Sequence, residues 1–163
     1  MTDADIGRGS YTASMRRMCA SAALAIFLFA LALLVTGSPL LAVPLSERLG
    51  LPLGNVITWF GMTALVMLVW FGSRGLREPA SRRDRIYRQL WFILLALAVL
   101  WPFASYALAG NWSFSFGSRE EFRGSSRAAD WFFRYSYAVV LLPMVLVLAR
   151  IAHVGLARWR GKG

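Results

Sequence analysis

Charge is so confined in this 163-residue sequence that three long stretches carry none: 29 residues between Arg17 and Glu47, 25 between Arg48 and Arg74, and 30 between Arg88 and Arg119. Crossing ~30 Å of hydrocarbon takes about 20 apolar residues in a helix. Each stretch therefore predicts one span with room for its turns, at 18–37, 56–72 and 90–109. The runs are continuously apolar rather than alternating, and lipid offers bare backbone groups no partner, so the spans are helices. A fourth run, between Arg134 and Arg150, has only 15 uncharged residues, but Trp131, Phe132 and Phe133 extend it outward. With both arginines snorkelling toward opposite interfaces, 131–151 becomes a full span. The expected fold is an all-α integral membrane protein, a four-helix transmembrane bundle built as two hairpins. A polar, mobile segment (1–17) precedes the span domain (18–153), and a basic tail (154–163) follows it.

With four spans, thirteen of the eighteen Lys and Arg residues fall on the side of the termini, and the eight acids divide equally. That side carries +9 and the other +1, together the chain's +10. The bias predicts that both termini are cytoplasmic. It also removes the nucleic-acid reading that a basic chain invites: Arg74, Arg77, Arg82, Arg83, Arg85, Arg88, Arg150, Arg158 and Arg160 read as contacts to anionic lipid headgroups. Arginine outnumbers lysine 17 to 1 among abundant Ala, Gly and Leu, the composition of a GC-rich bacterial genome. The expected location is a bacterial cytoplasmic (inner) membrane, with multiple passes. The first span reads as an uncleaved anchor, being longer than a signal-peptide core.

Between the spans, the loop 38–55 contains Pro39, Pro44 and Pro52 and is too apolar to float in water, so a segment near 46–49 is expected at the membrane surface. Ser81 followed by Asp84 matches a capping box. Ser118 and Glu121 match a second, with Gly124 as a stop. Ser126 is the expected cap of the last helix, and Pro102 and Pro143 should kink their helices. Residues 111–116 alternate polar and aromatic, as a strand or interfacial ribbon would. Ser21 and Ala25 form a small-xxx-small pair that lets a neighbouring helix approach closely, expected to pack inside the bundle rather than to form a dimer face.

The chemistry is largely negative. No Asp, Glu or Lys lies within a span, which argues against a proton or cation translocator working alone. A single cysteine, Cys19, and a single histidine, His153, exclude an internal disulfide, a Cys-based zinc site and a two-His site. No Gly-rich phosphate loop, HExxH or GxSxG is present. Ala149, one turn before His153, resembles the spacing by which light-harvesting helices ligate bacteriochlorophyll. Arg150 between them places the histidine among headgroups, and an interfacial histidine is the simpler reading. Glu120, Glu121 and Asp130 could share acid–base work, but Arg119, Arg123, Arg127 and Arg134 are enough to pair them all. No catalytic residue, metal or cofactor is assigned.

The expected function is therefore a non-catalytic accessory, assembly or stabilising subunit of a larger membrane complex. Its docking surface would be the second outer loop: Trp112, Phe114, Phe116, Arg119, Glu120, Glu121, Arg123 and Arg127. The partners are the bilayer and other membrane subunits. The alternatives are a small homo-oligomeric transporter or channel for an apolar or anionic solute, and a lipid- or quinone-modifying enzyme.

Overall fold

The computed structural model describes residues 3–46, 48–113, 116 and 122–160, with side chains for 13–46, 48–113, 116 and 122–153. Helix α1 (Asp3–Thr36) leads through a 3-10 turn (Pro39–Ala42) into a small hairpin of β1 (Pro44–Ser46) and β2 (Leu51–Pro52). Helices α2 (Leu53–Gly72), α3 (Arg74–Arg77), α4 (Arg82–Ala109) and α5 (Ser126–Arg160) follow. Among the described residues, four helical stretches are long and apolar enough to cross a membrane: Ala13–Thr36, Leu53–Gly72, Arg82–Ala109 and Ser126–His153. At ~1.5 Å per residue, α2 alone matches the ~30 Å of a hydrocarbon core.

The four long helices do not share one central core. Helix α2 sits at the centre, packed on α1, α4 and α5; α4 also packs on α5. Among the described residues, α1 makes substantial contact only with α2 and the turn that follows α1. The molecule is thus a three-helix cluster with α1 laid along its outside. Small residues create that contact. Ala23 and Ala30 are buried, and a Cβ on Gly61 would lie 2.7 Å from the Ala30 Cβ. Glycine is what lets the two axes approach this closely. Ser21 and Ala25, expected inside the bundle, are exposed instead. The intramolecular contact uses the opposite stripe of the same helix.

Within the cluster, aromatic side chains carry polar tips across the helix interfaces. Trp91 Nε1 donates to the Val66 carbonyl (2.9 Å), Trp101 Nε1 to Ser136 Oγ (2.9 Å), and the Tyr135 hydroxyl to the Leu97 carbonyl (2.5 Å). An indole or phenol satisfied in this way fills the core and also fixes helix register. Pro102 removes the ladder bond to Ala98, yet α4 continues past it, as α5 does past Pro143.

The helix ends follow local rules, with one shift. Ser81 Oγ accepts the Asp84 N–H (3.1 Å), the N-cap half of the box read from the sequence, while the Asp84 carboxylate takes the Ser81 hydroxyl (2.9 Å). Gly110, at φ +76°, closes α4 in the left-handed conformation, and its N–H bonds to the Tyr106 carbonyl,. Helix α5 starts at Ser126, but its cap is Ser125, whose Oγ accepts the Ala128 N–H (3.2 Å). Ser125→Ala is accordingly expected to cost about 1 kcal/mol in thermal unfolding, and Ser126→Ala much less. Equal losses would contradict this cap. The backbone is helical from Asp3, so most of the segment expected to be mobile extends α1, and the basic tail extends α5 as far as Arg160. The stretch near 46–49 belongs to the hairpin, in which Pro44 faces Pro52 and Ser46 faces Leu51. Two prolines without N–H groups keep that hairpin short.

Candidate functional site

Two ends of the molecule concentrate its polar and aromatic side chains. At the end opposite the termini, the two long loops are tied to each other. The Asn55 amide donates to the Trp112 carbonyl, and Ser113 Oγ donates to the Gly50 carbonyl (2.6 Å). Trp112 stacks on Tyr106, with centroids 4.5 Å apart, and meets Phe103 edge-on. Phe116 covers Gly54, where a Cβ would strike both its ring and the Leu41 carbonyl. The Arg123 N–H returns to the Ala109 carbonyl (3.0 Å). Asn111 Oδ1 takes the Ser113 N–H (2.9 Å). This Asx turn makes residues 111–113 a bend rather than the strand their alternation suggested.

The expected docking residues therefore separate. Trp112 and Phe116 are half-buried against the chain's own helices, whereas Arg123 and Arg127 are exposed. Phe114, Arg119, Glu120 and Glu121, with the Ser118–Glu121 capping pattern, lie outside the described residues. Asp130 is exposed on α5, and the Arg134 guanidinium lies 5.9 Å from the Trp131 ring centroid. Asn55 is the residue that sequence reasoning missed here. Its signal was an amide at the first turn of an apolar span, where a polar group needs a partner.

The basic end is more ordered than a fringe of headgroup contacts requires. Arg77 turns inward, and its Nη1 donates to the Trp70 (2.7 Å) and Phe71 (2.6 Å) carbonyls. These are carbonyls of the last turn of α2, where a cation complements the helix dipole. Burial, and after it the positive charge of Arg16, lower the Arg77 guanidinium from its ordinary value. Arg150 reaches from α5 to Asp84 on α4 (3.2 Å), with only 20% and 23% of the two side chains exposed, and lies over the Tyr87 ring. Gly75 makes room for them, since a Cβ there would collide with the Arg150 guanidinium and the Asp84 carboxylate. This pair joins α3, α4 and α5.

Arg74 pairs with Glu78 at 3.0 Å on the surface. Arg82, Arg83 and Arg85 are exposed and Arg88 is half-buried; the side chains of Arg158 and Arg160 lie outside the described residues. His153 Nε2 is 3.3 Å from Arg83 Nη1. A guanidinium can only donate, so this contact engages Nε2 as the acceptor. Of the nine arginines expected at headgroups, Arg77 and Arg150 thus act as internal ties. Among the described residues, no group of three or more His, Cys, Asp or Glu side chains could hold a metal ion. No protein-family model, curated protein or solved structure matches the chain.

Proposed function

We propose that this chain is a multi-pass protein of the bacterial inner membrane, with both termini cytoplasmic, and serves as a non-catalytic accessory or stabilising subunit of a larger membrane complex. The observation that carries the reading is the free face of α1. At about 100° per residue, Ser21, Ala25 and Ala32 project within about 20° of the direction opposite Ala23. Ala23 faces α2, and the three small residues are exposed beside Met18, Leu28 and Phe29. A small-residue stripe flanked by bulky apolar side chains is the surface on which transmembrane helices approach each other closely. The charge bias of +9 against +1 supports the orientation.

The test is purification of the tagged protein in mild detergent, with mass spectrometry of what accompanies it. A larger membrane subunit in stoichiometric amount is expected. The double variant Ser21→Leu/Ala25→Leu should lose it at least tenfold, while its own thermal unfolding stays unchanged because neither side chain touches α2. Purification of the chain alone, or retention of the subunit by the double variant, would overturn the reading.

A further inference from the structure

An open groove of about 920 Å³ runs between the C-terminal half of α2 and the part of α5 that follows Pro143. Its walls are apolar, with Leu65, Leu68 and Val69 on one side and Met144, Val147 and Leu148 on the other. Arg74 and Arg150 stand at its mouth, at the basic end. Gly72 is among the lining residues, and a Cβ placed there would meet nothing within 4 Å.

Depth and charge together define the occupant. From Leu65 to Gly72, or from Pro143 to Arg150, the groove descends about 10 Å. That is most of one leaflet of a ~30 Å core. A membrane-crossing partner helix would need about three times that depth and would find no use for a cationic mouth at one end. A soluble anion would gain nothing from the apolar walls. The two features match one molecule, a lipid with an acyl chain and a negative headgroup.

The arginines are available to it. Among the described residues, the Arg74 side chain is held by Glu78, a surface pair with 84% and 67% of the side chains exposed. Such pairs contribute little and exchange readily. Arg150 keeps Nη1 3.2 Å from Asp84 with 20% of its side chain exposed and lines the groove, and a guanidinium carries five N–H donors.

We propose that this groove is a specific site for an anionic phospholipid, with one acyl chain along α2 and α5 and the phosphate between Arg74 and Arg150. The proposal rests on the membrane-spanning reading and is independent of whether a larger subunit docks on α1.

The experiment is native mass spectrometry of the full chain released from mild detergent, titrated with phosphatidylglycerol, phosphatidylethanolamine of the same acyl chains, or inorganic phosphate. One phosphatidylglycerol should bind about tenfold more tightly than phosphatidylethanolamine, since the two share a phosphate but the ethanolamine ammonium cancels its charge beside two basic side chains. Inorganic phosphate should not displace it. Gly72→Leu adds a side chain at a position that lines the groove and has room for a Cβ; it should reduce lipid retention at least tenfold, with helicity and thermal unfolding unchanged. Arg74→Gln, at an exposed position, should bring the preference between the two lipids close to one while the chain still binds. Equal binding of both lipids by the wild type, displacement by phosphate alone, or full retention by Gly72→Leu would overturn the proposal. Protein co-purification is read separately, so failure of one proposal is distinguishable from failure of the other.

Discussion

Trp101→Ala is expected to be the most damaging truncation in the chain, lowering unfolding stability in mixed micelles by about 2–4 kcal/mol. Trp101 is 1% exposed and lies among the buried residues that join α2, α4 and α5. In water such a loss would combine a transfer term with a cavity term. In a bilayer or micelle the unfolded helix keeps its indole in an apolar medium, so the transfer term largely drops out. The cavity remains, at roughly 24 cal/mol per Å³ of unfilled volume. The bond to Ser136 Oγ adds about 0.6–1.7 kcal/mol, the range found for hydrogen bonds between transmembrane helices. Trp101→Phe keeps most of the volume, so it should lose mainly that smaller share. A Phe variant as unstable as the Ala variant would mean that the bond, rather than the packing, dominates.

Gly61→Leu should act quite differently, detaching α1 while α2, α4 and α5 stay assembled. A Cβ at this position already falls 2.7 Å from the Ala30 Cβ, and the larger side chain forces the helices apart. Spin labels on Cys19 and on Glu78→Cys report the separation of α1 from α3. The wild type should give one narrow distance distribution and the variant a broad one. Thermal unfolding of the chain, which the three-helix cluster dominates, should change little. The pair Gly61→Ala/Ala30→Gly moves the methyl from one helix to the other and should restore the narrow distribution, which a general destabilisation would not permit. An unchanged distribution in Gly61→Leu would show that α1 is not held by this contact.

The four long apolar helices were legible because one physical rule separates them: charge is excluded from hydrocarbon, and the gaps between charges are long enough for a helix to cross. Local caps were legible to within a residue. Ser125 and Ser126 both satisfy the capping preference, and only backbone geometry selects Ser125. The way the helices face one another was less legible. Helix α1 carries two stripes of small residues, and nothing in its own sequence says that Ala23 and Ala30, rather than Ser21 and Ala25, meet α2. That choice depends on Gly61, on another helix. Arg150 read as a snorkelling residue because its partner, Asp84, is 66 positions away. Trp112 and Phe116 were read as part of a docking loop, and in the structure they meet the chain's own Tyr106 and Gly54. Aromatic content marks a contact surface without saying whose surface it meets.

The account stands on four crossings with the basic end in the cytoplasm, and cysteine accessibility tests this most directly. In a Cys19→Ser background, single cysteines at Arg127 and at Glu78, both exposed, are treated with a membrane-impermeant maleimide in intact spheroplasts. Arg127→Cys should label at once, and Glu78→Cys only after the membrane is permeabilised. Labelling of both from outside, or of Glu78→Cys alone, would contradict the topology on which the rest depends.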